Sequence, residues 1–438
     1  MEGSYDVTFT FATVNLLPGG PPAPPAPAPS LATPARLDLR RAGSAWEALF
    51  TPRWGTPASL AVSETAAALV LKGEARVHGA AGGGVGGATD TWKTLTLARD
   101  ATGKLTGDVK ASGDESIFQG DVVWSGTLVG GATLAADATA PELRSRVVSP
   151  IGPGDRMLPW DPIRVQAAEP VTPAPVRDVT VIAGPTTTVP LVFEKAARPD
   201  SWAGEVAYTG RVSSWASVMN GQPWVVANTS SSIKDLVGLA AAPLSTPLKF
   251  LQLGFAAPEI GFDSDVVFAS LWGESRFLGG GFTGATDPRC EAGGCVKIGP
   301  ASFGVCDATR AGFAGILASD ATKTKVGLRY RVLAEPENPG DLFVHSDLVT
   351  LELARQGGQP VDTIVRPSDV KMPKLATSID GMSFGTTWLD LDVAAPAGTG
   401  PVGVAVAIGG PSALVGVCGG PPIARVKLEV LVERVGWK

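Results

Sequence analysis

Histidine is nearly missing from this chain, with two in 438 residues, His78 and His345. The side chain most used to move protons and hold metals near neutral pH is therefore in short supply, which weighs against a catalytic reading. Tyrosine is also scarce, at three, and no cysteine occurs before Cys290. Charged residues make up only 18% of the chain, and 36 Lys and Arg against 42 Asp and Glu leave a net charge of −6. The basic residues are scattered, so the Lys/Arg stripe that nucleic-acid phosphates require is absent and no nucleic-acid partner is expected. No run approaches the roughly 20 apolar residues of a spanning helix. The nearest, Leu236 to Phe262, is broken by Pro243, Pro247 and Pro258. A soluble chain is expected, with membrane contact only through a lipid anchor lost from upstream. No charged-then-apolar leader opens the sequence, and strand-like alternation begins by Tyr5, so an export signal is expected to have been removed ahead of Glu2.

What the chain does have is punctuation: 54 glycines and 37 prolines between short alternating segments, with 44% apolar residues to fill cores. Tyr5-Asp6-Val7-Thr8-Phe9-Thr10-Phe11 shows the period of a strand with one buried face. The length exceeds what one core usually serves, so an all-β chain of three tandem sandwich or barrel domains is expected. Residues 1–136 form the first, with eight or nine strands that include Arg36 to Arg41, Trp46 to Thr51, Ala67 to Lys72, Trp92 to Ala98 and Asp121 to Leu128. Its interruptions are the Pro-Pro-Ala stretch 18–34, read as an extended excursion, and Gly79 to Gly87, read as a mobile loop.

Residues 137–244 carry different signals. Asp137 to Leu143 with Pro141, then Ser149-Pro150, Pro162 to Val165 and Glu169-Pro170-Val171 come in order, and Val225 to Asn228 and Lys234-Asp235-Leu236-Val237-Gly238 follow. This succession resembles a bacterial Ig-like domain of surface-layer and adhesion proteins, which implies a seven-strand sandwich. Gln166-Ala167-Ala168-Glu169 stands where that family has Phe-Ser-Glu, and Leu239 stands where it has Asn. The residues agree independently: Ile163 and Val165 alternate as a buried strand, and Val179, Val181, Leu191 and Phe193 supply two more.

Residues 245–438 make the largest unit. Val326 to Val332, His345 to Leu353, Trp388 to Val393 and Val402 to Ile408 all alternate. In the last strand Val426, Leu428, Val430 and Val432 oppose Arg425, Lys427, Glu429 and Glu433. The layout of these strands resembles jelly-roll-like domains of bacterial exoproteins. The four cysteines, Cys290, Cys295, Cys306 and Cys418, all fall here, and an even local set suggests disulfides of an oxidising compartment. Three connectivities are open. Cys290 to Cys295 with Cys306 to Cys418 is preferred because the first pair closes a short Gly-containing loop, and the chain-entropy model assigns about 2 and about 5 kcal/mol to the two loops. A four-cysteine zinc site is the competing reading, and the gaps of four and ten residues depart from C-x2-C knuckles.

Motifs that suggest chemistry lack their context. Gly381-Met382-Ser383-Phe384-Gly385 matches a nucleophile elbow, yet it runs into a strand and both histidines precede Ser383. Gly82, Gly84 and Gly87, and again Gly279, Gly281 and Gly284, match the dinucleotide fingerprint without its helix. His345 and Asp347 would share a strand face, as two metal ligands do. No cofactor is expected beyond a structural calcium ion, for which Asp263, Asp265, Asp341, Asp347, Asp390 and Asp392 are the candidates. Eleven tryptophans suggest a sugar platform, since indole faces stack on sugar rings. Trp272, Phe277, Phe282 and Trp388 lie in one domain, and alternation puts Trp388, Asp390 and Asp392 on one outward face. The candidate ligand-binding residues are therefore Trp272, Trp388 and Asp390. No catalytic residue is assigned. The expectation is a noncatalytic protein, exported to the bacterial cell surface or beyond, serving adhesion, display or assembly with a protein or glycan partner or a second copy of itself. The alternatives are carbohydrate binding through the last domain and a polysaccharide hydrolase with a carboxylate pair.

Overall fold

The computed structural model describes residues 2–16, 35–52, 57–65, 68–80, 87–99, 105–116, 122–147, 156–171, 179–184, 187–193, 205–219, 221–228, 233–262, 269–280, 284–304, 311–336, 349–356, 388–408 and 425–438. Among them the chain is all-β apart from one four-residue helix, α1 (Trp215–Val218). The Pro-rich stretch 18–34, Cys306, Cys418, His345, Ser383 and Phe282 lie outside the described residues, as do Asp263, Asp265, Asp341 and Asp347.

Eight strands come first: β1 (Gly3–Leu16), β2 (Ala35–Ala42), β3 (Ala45–Pro52), β4 (Ala58–Glu64), β5 (Ala68–Ala80), β6 (Gly87–Arg99), β7 (Leu105–Ser116) and β8 (Val122–Ala136). Each pairs antiparallel with the next, and β8 returns to β1, closing a barrel. Period-two alternation decides which side is inside. Val7, Leu37, Leu39, Ala48, Phe50, Leu69, Leu71, Ala132 and Leu134 fill the interior as one cluster. The loop read at Gly79 to Gly87 is shorter than its glycines suggest. Gly79 and Ala80 end β5 paired with Ala88 and Gly87 of β6, because ladder bonds come from the backbone and need no side chain.

The next sheet holds β9 (Leu143–Val147), β10 (Ile163–Val171), β11 (Val179–Ala183), β12 (Thr187–Phe193), β13 (Glu205–Val212), β14 (Trp224–Asn228) and β15 (Ser245–Leu248). Its order is β15-β14-β11-β12-β13-β10-β9. The strand β12 changes partner at Pro190. Residues up to Pro190 pair with β11 and those from Leu191 pair with β13, and a proline without an N–H cannot carry an interior ladder onward. The sheet rolls until its edges β15 and β9 touch, and residues of both halves enter one core. This sheet runs to Leu248 and not to Leu244, because Ser245 to Leu248 pair with Trp224 to Ala227.

The C-terminal region is a sandwich of two antiparallel sheets. The larger contains β18 (Ser275–Gly279), β19 (Gly294–Gly304), β25 (Arg425–Trp437), β21 (Lys325–Pro336) and β23 (Leu389–Ala394), with β16 (Glu259–Gly261) also on β25. The smaller contains β17 (Ala269–Trp272), β20 (Ala311–Leu317), β24 (Val402–Ile408) and β22 (Val349–Arg355) in that order. The smaller sheet is buried on both faces. Val402, Val404, Val406 and Ile408 of β24 meet the larger sheet, whereas Ala405 and Ala407 join the core of the middle sheet. Small residues on that second face let a large one approach: a Cβ at Gly403 would fall 2.4 Å from Cε3 of Trp160.

Candidate functional site

The outer face of the larger C-terminal sheet is laid out by alternation. Leu389, Leu391 and Val393 point into the sandwich, so Trp388, Asp390 and Asp392 take the opposite side, as their spacing predicts. Trp388 is half-buried against a small cluster of Leu278, Leu431, Cys290 and Cys295. Those two cysteines form a disulfide, with Cα atoms 5.5 Å apart, that ties the connection between β18 and β19 to the start of β19. That connection begins at Gly279, whose φ of 58° lies in the left-handed region and whose added Cβ would sit 2.0 Å from the Gly293 carbonyl oxygen. Hence Gly279 and Gly284 of the second glycine motif lie between β18 and β19, and among the described residues no helix follows to receive a phosphate.

Around Trp388 the charges are paired. Arg329 donates from Nε to Glu291 at 2.7 Å and from Nη1 to Asp390 at 2.6 Å, and Glu433 stands 3.5 Å away. The Glu291 contact, foremost, raises the Arg329 pKa further. Lys297 bridges Glu429 at 2.8 Å, and Glu433 also accepts from the Ala292 N–H. In the loop, Arg289 holds the Asp287 carboxyl down at about 2. Leu431, sitting between Glu429 and Glu433 on the polar side, is buried because the disulfide loop covers it.

Trp272 does not join this face. It is buried, its indole covering Gly312, where an added Cβ would lie 2.5 Å from Cζ2 of the ring. The tryptophan count therefore overstated the platform: Trp160, Trp215, Trp224 and Trp272 all serve the shared core. The short strand β17 places Trp272 toward the middle sheet, where burying a large ring is favourable.

A second constellation lies at the seam where β3 of the barrel meets β10. Arg36 and Asp38 alternate with interior Leu37 and Leu39, so both face outward, yet both are buried there. Arg36 Nη1 contacts Asp137 at 2.7 Å and Asp6 at 3.2 Å, and Nη2 contacts Glu169. Asp235 closes a turn in which its Oδ1 accepts the N–H groups of Val237 at 3.0 Å and Leu239 at 2.8 Å, with Gly238 at a φ of 94°. Carboxylate oxygens of Asp137, Glu169 and Asp235 lie within 4.8 Å of one another. Burial pushes the Asp38 carboxyl up to about 6, with Asp137 and Asp235 adding to it against a Ser4 hydrogen bond and Arg36. Burial also raises Asp235, and Asp137 adds to the rise. A raised carboxyl is the property of a general acid, but these two are shut between sheets. The sequence showed Asp137, Glu169 and Asp235 only as family motif residues, and the alternation of β2 was the one signal that Arg36 and Asp38 share a face. Of the calcium candidates described, Asp390 is exposed and committed to Arg329, and Asp392 is exposed.

No family model matches this chain, and no curated protein matches it. Among solved structures, TmCBM61 in complex with beta-1,4-galactotriose is similar over 39% of this chain and 87% of that one, at 10% identity and a TM-score of 0.21. No helix among the described residues is long and apolar enough to cross a membrane.

Proposed function

We propose that this chain is a noncatalytic protein of the bacterial cell surface or exterior, which binds a partner there in adhesion, display or assembly through the outer face of its C-terminal sandwich. The observation that carries this reading is Trp388, half-exposed on a sheet face whose neighbouring loop is clamped by the Cys290–Cys295 disulfide. An aromatic held in place by packing loses little freedom on binding, which is what a contact residue needs. The disulfide supports an oxidising compartment. The partner is a protein, a glycan or a second copy of the chain. Trp388 favours a glycan, since an indole face can stack on a sugar ring, and Asp390 on the same strand face, with its partner Arg329, can hydrogen-bond sugar hydroxyls.

Two measurements test this. In cells that make the protein, alkylation before reduction should leave Cys290 and Cys295 unlabelled, and external protease should cleave the chain; labelled thiols in a protected chain would end the exported reading. Binding of the purified protein to glycan arrays and whole cells should fall by about tenfold or more in Trp388→Ala, as for an anchoring aromatic. Unchanged binding would remove this face from the site.

A further inference from the structure

The seam between barrel and middle sheet gathers five carboxylates, Asp6, Asp38, Asp137, Glu169 and Asp235, around one guanidinium, Arg36. Arg36 contacts Asp6, Asp137 and Glu169, which leaves two carboxylates without an ion pair among the described residues. Both are enclosed, Asp38 at 1% and Asp235 at 2% exposure. In each, Oδ1 or a neighbouring hydroxyl contact is provided for, while Oδ2 is buried with no hydrogen-bond partner. Buried carboxylate oxygens are seldom left so, because water has been removed and nothing replaces it. The unsatisfied oxygens point to something cationic that the amino-acid side chains do not supply.

Donor chemistry narrows the choice of cation. Oxygens of Asp137, Glu169 and Asp235 come from three separate segments: the end of the barrel, strand β10 and the Asp235 turn. All three oxygens lie within 4.8 Å of one another, close enough to share one ion, and calcium takes six to eight oxygens in flexible geometry, so it accepts a ligand set drawn from three unrelated segments. Magnesium demands a near-ideal octahedron and gives up its water reluctantly, so an enclosed, irregular carboxylate set suits it less. An all-oxygen donor set without sulfur or imidazole suits a hard cation and not zinc.

We infer that Asp137, Glu169 and Asp235, with Asp38 beside them, form a calcium site that ties the barrel to the middle sheet. Arg36 holds Asp137 and Glu169 from one side, and the ion satisfies Asp235 and the remaining charge from the other. The ligands are distinct from the loop aspartates that the sequence suggested, and from the face that carries Trp388. Their role is mechanical: a joint that stiffens when extracellular calcium is present.

The test uses the intact chain after chelator treatment and dialysis. Calcium chloride should bind with measurable heat in calorimetry and raise the melting temperature, and magnesium chloride at equal ionic strength should raise it much less. Asp235→Asn, which keeps the Oδ1 acceptor of its turn, and Glu169→Gln should each weaken calcium binding by about tenfold or more, since affinity follows ligand charge. Circular dichroism at low temperature verifies that each variant is folded, and the Glu169 variant decides the matter if the Asp235 variant is not. Equal effects of the two cations would mean screening alone and would overturn the site. So would the absence of binding heat, or calcium affinity unchanged in the folded variants.

Discussion

The seam between the barrel and the middle sheet is charged, whereas the seam between the middle sheet and the C-terminal sandwich is mainly apolar. At the first, Arg36 is surrounded by Asp6, Asp137 and Glu169, with buried Asp38 and Asp235 close by. At the second, Trp160 lies on Gly403, and Ala314, Ile316, Ala354, Ala405 and Ala407 share a core with Trp215, Trp224 and Phe250. Trp160 and Trp215 meet with ring centroids 5.3 Å apart. Apolar contact is indifferent to protons and ions, so the second seam should behave as part of one folded body. Buried charge is sensitive to both, so the first seam can be loosened or tightened by its solution. One chain thus joins its units in two ways, one centred on clustered carboxylates and the other mainly on apolar side chains, with Glu352 as a buried charge on the β22 face that meets the middle sheet.

That contrast can be broken at either end. The largest effect is expected from Trp160→Ala, which empties the apolar seam and should cost about 3–5 kcal/mol. Thermal melting should show a loss that is the same at low and high salt, and a salt-dependent loss would contradict the apolar account. Arg36→Leu should cost about 3 kcal/mol or more, because it strands buried carboxylates. Acid should restore part of that loss by protonating them, which differential scanning calorimetry at pH 7 and pH 5 would reveal. The smallest change is a gain. With Asp38 at about 6 instead of the ordinary 3.8, the folded chain keeps a proton that the unfolded chain releases. Stability from this group therefore falls as pH rises between those values, by about 3 kcal/mol at most. In chelator-treated, calcium-free protein, Asp38→Asn should accordingly stabilise the fold by about 2 kcal/mol at pH 7 and by nothing near pH 3. Equal gains at both pH values would refute the buried-charge explanation.

Much of this architecture was legible because strands advertise their faces. Leu37 and Leu39 against Arg36 and Asp38, and Val430 and Val432 against Glu429 and Glu433, announce one buried side each. The alternation of Val402, Val404 and Val406 with Gly403, Ala405 and Ala407 was visible too, but its meaning was not. Small residues on a second face can border water or a neighbouring sheet, and only the placement of Trp160 decides between them. Likewise the spacing of Trp388, Asp390 and Asp392 gave the correct side of β23, while nothing local distinguished Trp388 at the surface from Trp272 in the core. The disulfide between Cys290 and Cys295 was readable because a short loop keeps its two ends near each other.

By itself, the order of residues determined the period of each strand, the turns that end it and the short-range cross-link, since all three depend on neighbours within a few positions. Tertiary structure alone decided that Asp38, Asp137, Glu169 and Asp235 would share one enclosed space. Those residues are separated by up to two hundred positions, and a carboxylate is ordinary in water. It acquires a raised pKa and an unmet oxygen only when another sheet closes over it and takes the water away.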